Sequence, residues 1–187
     1  LRLKNKLTSN KIKLSNIEEI KINRGITTGS NSVFLVKNEF AENLINNDKK
    51  YSEILKPVLK GAEIKRYNVK SNQFYIILTK TGVRIEDYPL LFDYLTSNRN
   101  ELEKVYETKK GMKKWYELRK CSYYDDFEKE KLIWTRLSAI NSFAISTNSD
   151  YSIDSTSFAT GKNLKFYCSI LNSKLVYFYF KLGSVIW

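Results

Sequence analysis

The 187 residues carry 32 Lys and Arg against 20 Asp and Glu, a formal net charge of +12 with a pI near 9.5. That balance favours a polyanionic partner, nucleic acid or an anionic membrane, and the absence of any histidine excludes Ser-His-Asp and Cys-His catalysis and most transition-metal sites. Cys121 and Cys168 stand far from any CxxC spacing, which points to a reducing cytoplasm, and no apolar run approaches the roughly 20 residues of a membrane span.

The length suits one domain, or one domain and a small lobe. The chain does not begin with Met and opens in mid-stride on LRLKNKL, so it is expected to be a piece of a longer protein. After this Lys- and Asn-rich lead-in comes RGITTGS, with Gly25 and Gly29 close together, and then NSVFLV, which reads as a short strand. EFAENLINN reads as a short helix. Pro57 and Gly61 punctuate ILKPVLKGAEIKRYNV as turn, short strand and loop. QFYIILT, residues 73–79, is apolar on both faces, as a strand covered on both sides requires.

Pro89 suits the first turn of a helix, and Leu91, Leu95, Leu102 and Tyr106 continue at helical spacing. From Lys104 to Lys120 seven basic residues face two acidic ones, the densest basic patch in the chain. On a helix its lysines would occupy one side and Met112, Trp115, Tyr116 and Leu118 the other, with Arg119 inside the apolar arc and Gly111 as a possible break. KLIWTRLS and FAIST read as strands joined by a short turn, and YSIDSTSFAT as more extended chain. A helix is expected from about Asn163, since Leu164, Tyr167, Cys168, Leu171, Leu175 and Phe178 recur at i, i+3, i+4, i+7 spacing. The fold class is therefore α+β, with mixed or antiparallel strands, a mid-chain helical segment and a C-terminal helix.

Several chemistries can be weighed on spacing. The RGITTGSNS loop has no lysine after Gly29 and opens a strand, so it lacks the parts of a phosphate-cradling P-loop. Amino methylation of adenine uses adjacent prolines in an Asp/Asn-Pro-Pro-Tyr/Phe motif, whereas this chain has only Pro57 and Pro89. Asp48, Glu63 and Lys65 fit a Mg²⁺-dependent nuclease only loosely. Asp125, Asp126, Glu128 and Glu130, interleaved with lysines, read as a solvated loop entering the next strand. What remains is basic residues interleaved with aromatics, at Arg66-Tyr67, Lys114-Trp115-Tyr116, Tyr123-Tyr124 and Trp134 with Arg136. That is the composition of a nucleic-acid surface, and equally of core aromatics beneath a wet basic exterior.

The ordered series RGITTGSNSVF, LKPVLKGAEIKRY, FYIIL, YPLLFDYL, LEK, WYELR, KLIWTRLS and LKFYCSILNSKLVYFYF, spanning residues 17–181, resembles the TaqI-like C-terminal specificity domain. That family forms the target-recognition part of type II, often type IIG, restriction-modification enzymes with adenine-N6 methyltransferase activity. The resemblance implies a module that binds double-stranded DNA, holds no catalytic residue or metal of its own, and follows an S-adenosylmethionine-binding catalytic domain upstream in the same chain. In such an enzyme it reads a short target while the other domain flips and methylates an adenine. On that reading Lys65, Lys113 and Lys114, with Trp115 among them, hold the DNA backbone, and Arg24, Thr28, Asn31, Arg66, Arg119 and Arg136 read base edges. Ion pairs with Glu63 or Asp126 are the competing fate of Arg66 and Arg136. Two other functions stay open, a recognition module of a type I-like specificity subunit and a Mg²⁺-dependent nuclease fragment.

Overall fold

The computed structural model describes residues 13–70, 73–138, 140–147 and 149–183. In chain order its elements are β1 (Ile20–Arg24), α1 (Asn31–Phe34), β2 (Leu35–Lys37), α2 (Asn38–Asn47), β3 (Leu55–Leu59), β4 (Ile64–Lys65), β5 (Asn68–Val69) and β6 (Phe74–Ile77). There follow α3 (Pro89–Ser97), α4 (Arg99–Leu102), α5 (Tyr106–Lys109), β7 (Lys131–Thr135), β8 (Phe143–Ser146), β9 (Tyr151–Ser152), β10 (Thr156–Gly161), α6 (Leu164–Leu171) and α7 (Lys174–Gly183). The α+β class is as expected. No helix among the described residues is long and apolar enough to cross a membrane.

The chain divides into two compact units. The first comprises Leu1–Gly25, Leu59–Ser71 and Asp125–Trp187; the second comprises Ile26–Val58 and Asn72–Tyr124.

The first unit is built on an antiparallel sheet in the order β1-β10-β7-β8. Alternation sorts its side chains onto two faces. Ile20, Leu132, Phe143 and Ala159 pack with Leu164 and Cys168 of α6. On the other face Phe127 stacks on Tyr151 at 5.0 Å and meets Phe158 at 4.6 Å.

Asp126, beside Phe127, is buried and not part of a solvated loop. Its carboxylate accepts hydrogen bonds from Lys21 Nζ (2.6 Å) and Asn23 Nδ2 (2.8 Å) of β1 and from Lys129 Nζ (2.8 Å). Burial pushes the Asp126 carboxyl up, but the hydrogen bonds from Lys129, Lys21 and Asn23 outweigh it and hold the group at about 2. Lys131, buried at the start of β7, donates to the carbonyls of Phe127 (2.7 Å) and Lys129 (3.2 Å). Burial draws its pKa down to about 8 against the pull of Asp150 and Glu128.

The expected single C-terminal helix is two helices. Asn172, almost fully buried, ends the first by pairing with a strand: its Nδ2 donates to the Phe143 carbonyl (2.8 Å) and its Oδ1 accepts from Phe143 N (3.1 Å). The side-chain amide thus fixes α6 on β8. Ser173 Oγ then accepts from Val176 N (3.2 Å) and caps α7.

In the second unit β6 pairs antiparallel with both β2 and β3. Ile76 and Ile77 of β6, Leu55 and Val58 of β3, Ala41 and Leu44 of α2, Leu91 and Leu95 of α3 and Leu102 of α4 are all buried. QFYIILT is a core strand in its second half, since Phe74 and Tyr75 are half-buried. Pro89 opens α3 as expected, and the N–H of Leu90, one of the orphan donors of a helix start, is satisfied by Tyr51 Oη at 3.2 Å. Tyr88 donates to Glu53 Oε2 (2.8 Å), and burial together with that hydrogen bond pushes its phenol up to about 12.

Two further elements depart from expectation. NSVFLV is not one strand: it makes the helical turn α1 and then β2, with Val33 and Phe34 buried from within the turn. The basic segment is helical only to Lys109. Gly111, at φ +68°, turns the backbone left-handed, and Lys113–Lys120 form no helix.

Two predictions follow from these contacts. A Cβ on Gly25 would lie 2.0 Å from the Ile153 carbonyl oxygen and 2.7 Å from Thr156 Oγ1, so Gly25→Ala should cost about 3 kcal/mol or more. At Gly111 nothing stands within 4 Å, and Gly111→Ala should cost only about 1–2 kcal/mol of left-handed strain; urea unfolding of both variants measures the difference. Asp126 has its pKa depressed on folding, so its stabilisation is full above about 3.8 and is lost as pH falls toward 2. With Lys21 and Lys129 well solvated, its worth is on the order of 1–2 kcal/mol. Asp126→Asn should lower stability by that amount at neutral pH and flatten the acid limb between pH 4 and pH 2, as read from unfolding midpoints across that range.

Candidate nucleic-acid interface

In the first unit, one end of the sheet is formed by the last residues of β1 and β7 and the first residues of β10 and β8. Arg24 closes β1 opposite Ser157. Arg136 follows β7, its N–H donating to the Ser155 carbonyl at 2.9 Å. Between them lies the Ile153–Thr156 turn, closed by the Thr156 N–H and Oγ1, which both donate to the Ile153 carbonyl at 2.9 and 2.7 Å.

Asp154 in this turn serves both arginines. Its Oδ2 lies 3.6 Å from Arg24 Nη2, and its carbonyl accepts from Arg136 Nη1 at 3.1 Å. The Arg24 side chain is 51 % exposed, and a solvated pair of this kind contributes about 0–1 kcal/mol. Arg24 can therefore exchange Asp154 for another anion at little cost. The Arg136 guanidinium is held by a neutral carbonyl, which fixes its position and leaves its charge uncancelled.

The β4–β5 hairpin, Ile64–Lys65 paired with Asn68–Val69, reaches the same end through the start of β8. Tyr67 N–H donates to the Phe143 carbonyl at 3.0 Å. Arg66 Nη2 donates to Asn141 Oδ1 at 2.7 Å, and buried Asn141 is itself fixed by donating to the Leu171 carbonyl at 2.6 Å. Lys65 is exposed beside it. So Arg24, Lys65, Arg66 and Arg136 are brought to one end of one sheet, spread over roughly three strand spacings, on the order of 15 Å. Of the two acidic residues expected to pair with Arg66 and Arg136, Glu63 accepts from Lys60 N (2.7 Å) and Asp126 from β1 and Lys129.

The candidates of the second unit are placed differently. Thr28 is buried, and its hydroxyl donates to Asn31 Oδ1 at 2.7 Å. Ser30 and Ser32 donate to Glu101, and these hydrogen bonds hold the Glu101 carboxyl below the usual carboxylate range. With Gly29 at φ +88° supplying the turn, the hydroxyls of the RGITTGSNS loop shape the loop itself. Thr28 presents no group outward, whereas Asn31 is exposed.

Lys113 folds back to donate to the Glu117 carbonyl at 2.6 Å, and burial lowers its pKa. Arg119 Nε lies 2.8 Å from Glu107 Oε1, so it is paired with a carboxylate. Trp115 is half-buried, 5.4 Å from the Tyr116 ring and 5.1 Å from the Arg99 guanidinium. Lys114 is exposed, with Nζ 5.5 Å from the Tyr116 ring. Of this basic segment, Lys114 is turned outward while Lys113 and Arg119 hold the loop together.

Two of the nuclease candidates have local structural roles. Asp48, in the second unit, caps a 3-10 turn by accepting from Lys50 N at 2.9 Å, and Glu63, in the first, accepts from Lys60 N. Among the described residues no three His, Cys, Asp or Glu side chains gather as a metal site. The anchors Asn141 and Asp154 carry no sequence signal, since each is a polar loop residue 75 or more positions from an arginine it holds.

Comparison with known proteins bears on this geometry. No curated protein matches the chain. A solved structure similar to it is the type IIL restriction-modification enzyme MmeI in complex with DNA, at 14 % identity and a TM-score of 0.57 over 82 % of this chain. The match covers 20 % of that enzyme, so this chain spans about a fifth of its length and shares its fold over that part. The family of TaqI-like C-terminal specificity domains matches residues 56–184, a stretch that includes the β4–β5 hairpin, β7, β8, the Asp154 turn and both C-terminal helices. The chain belongs to the TaqI-like C-terminal specificity domain family.

Proposed function

We propose that this chain is the DNA target-recognition domain of a type II, IIG-like, restriction-modification enzyme that methylates adenine at N6. One observation carries the reading: in a chain of a specificity-domain family, Arg24, Arg66, Arg136 and Lys65 converge on one end of a sheet. Asn141 and the Asp154 turn hold the guanidinium groups from behind. An arginine fixed by a neutral amide or carbonyl keeps its remaining N–H donors for the O6 and N7 acceptors of guanine or for phosphate. The DNA complex of the structurally similar enzyme supports a duplex as the partner.

On this reading the chemistry lies in a separate domain of the parent chain. That domain binds S-adenosylmethionine and flips the adenine, while the present domain sets which adenine is presented. The residues here do not form the methylation site, since Pro57 and Pro89 are not adjacent. Lys65 and Lys114 hold phosphates; Arg24, Arg66 and Arg136 read bases, with Asn31 as a further candidate. Lys113 and Arg119, tied to Glu117 and Glu107, and Thr28, tied to Asn31, are engaged within the second unit, as is half-buried Trp115.

A second reading, a recognition module of a type I-like specificity subunit, is favoured by exposed apolar side chains on α6 and α7: Phe166, Ile170, Leu175 and Phe178. Such helices would meet a partner subunit.

The test is DNA binding by the full chain against a site selected from random-sequence duplexes. Arg24→Ala and Arg136→Ala should each cost about 1–3 kcal/mol of discrimination at one base pair of that site. An equal loss for every sequence would make them phosphate clamps and remove them as readers. Lys65→Ala should weaken all duplexes alike and reduce the salt slope by about 0.9; a slope unchanged by Lys65→Ala would take it off the DNA backbone.

A further inference from the structure

The two central residues of the β4–β5 hairpin are Arg66 and Tyr67. Tyr67 has φ +67°, in the left-handed region, and is 59 % exposed. Glycine or asparagine fills such a turn position without strain, and a bulky aromatic there is a backbone outlier. Leaving the ring in water adds an apolar cost. The hairpin is nevertheless rigidly held: Tyr67 N–H is tied to the Phe143 carbonyl at 3.0 Å and Arg66 to buried Asn141 at 2.7 Å. Its tip is flanked by Lys65, Arg66 and Lys70, all exposed and all basic. Folding therefore does not account for a tyrosine at this position. A strained, exposed ring on a fixed support among cations is suited to a ligand that is both flat and anionic, which describes a stacked nucleobase in its phosphate frame.

We propose that Tyr67 is a base-step wedge. This rests on reading the chain as a DNA-recognition domain. The ring enters a step of the bound duplex and stacks on one exposed base face, while Lys65 and Arg66 meet the strand on either side. The pinned hairpin stops the tip from retreating when the step resists opening. Tyr67 is on this view a positioning residue, which fixes the register of the duplex against Arg24 and Arg136.

The experiment uses the full chain and the duplex it selects from a random-sequence pool, with 2-aminopurine placed in turn at each adenine of that duplex. Wild-type protein is expected to raise 2-aminopurine fluorescence at one step, marking local unstacking. Tyr67→Gly should abolish that rise and weaken binding about tenfold, the size of one lost base–aromatic stack. Tyr67→Phe should keep the rise and bind within about twofold of wild type, because the ring and not the hydroxyl does the stacking. The salt slope should be the same for all three, as no phosphate contact is lost. Tyr67→Gly relieves the backbone, so its thermal midpoint should equal or exceed that of wild type; should it fall, Tyr67→Asn, which also accepts a positive φ, takes its place in the comparison. Wild-type affinity in Tyr67→Gly, or no fluorescence rise at any step with wild-type protein, overturns the wedge and leaves the DNA reading intact. A wild-type chain that selects no duplex overturns both.

Discussion

The pairing of β1 with β10 is the constraint on which the first unit depends. Residues 20–24 lie beside residues 157–161 across five registered pairs, from Ile20 with Gly161 to Arg24 with Ser157. More than 130 positions separate the partners, so closing this pair costs far more chain entropy than a local hairpin. The closure is reinforced from one side: Lys21 and Asn23 of β1 both donate to Asp126, whose neighbour Phe127 fills the space under Phe158 of β10. On the opposite face Ile20 and Ala159 join the α6 core. Without this pair Arg24 would have no fixed place, and the row of cations at the sheet end would lose one edge.

At the sheet end, Arg66 and Arg136 are held in place without being neutralised. Arg66 meets an amide oxygen, Arg136 a backbone carbonyl, and Arg24 a half-exposed carboxylate at 3.6 Å. Elsewhere the acidic residues are engaged closely: Asp126 with two lysines and Glu107 with Arg119. Carboxylates therefore sit mainly where structure is built, and neutral acceptors where charge is displayed. Two of the three guanidinium groups at the sheet end therefore keep their charge, and a surface of that sign raises the encounter rate with a polyanion.

Much of the fold was legible from local pattern. Pro89 with Leu91 and Leu95 marked α3, EFAENLINN marked α2, and the apolar runs at 131–138 and 143–147 marked β7 and β8. What failed, failed for physical reasons. Val33, Phe34, Leu35 and Val36 are apolar in a row, and so short a run fits a helical turn as well as a strand. The basic segment keeps helical spacing past Gly111, yet a left-handed residue there and the Lys113 and Glu117 contacts close a loop instead. The C-terminal pattern continues through Asn172, whose side chain takes the hydrogen bonds of a strand neighbour. For the candidate site, residue type could not separate Lys114, which faces out, from Lys113, which folds in. That distinction depends on Glu117, and the placement of Arg66 depends on Asn141; such partners are set by tertiary structure. Tyr67 was visible as one of a basic–aromatic pair, but its backbone strain has no sequence signature.

The interleaving of the two units has a consequence for exchange between relatives. The second unit is made of residues 26–58 and 72–124, and the segment 59–71, which carries the β4–β5 hairpin, belongs to the first. Neither unit is a contiguous cassette. A graft that moved one recognition surface onto a related scaffold would need four junctions, and one of them cuts β3 between Val58 and Leu59. A single crossover within residues 26–124 would instead divide both units at once, separating Arg24 from the turn that holds it. A change confined to the sheet end that keeps both units whole is therefore a point substitution rather than an exchange of segments.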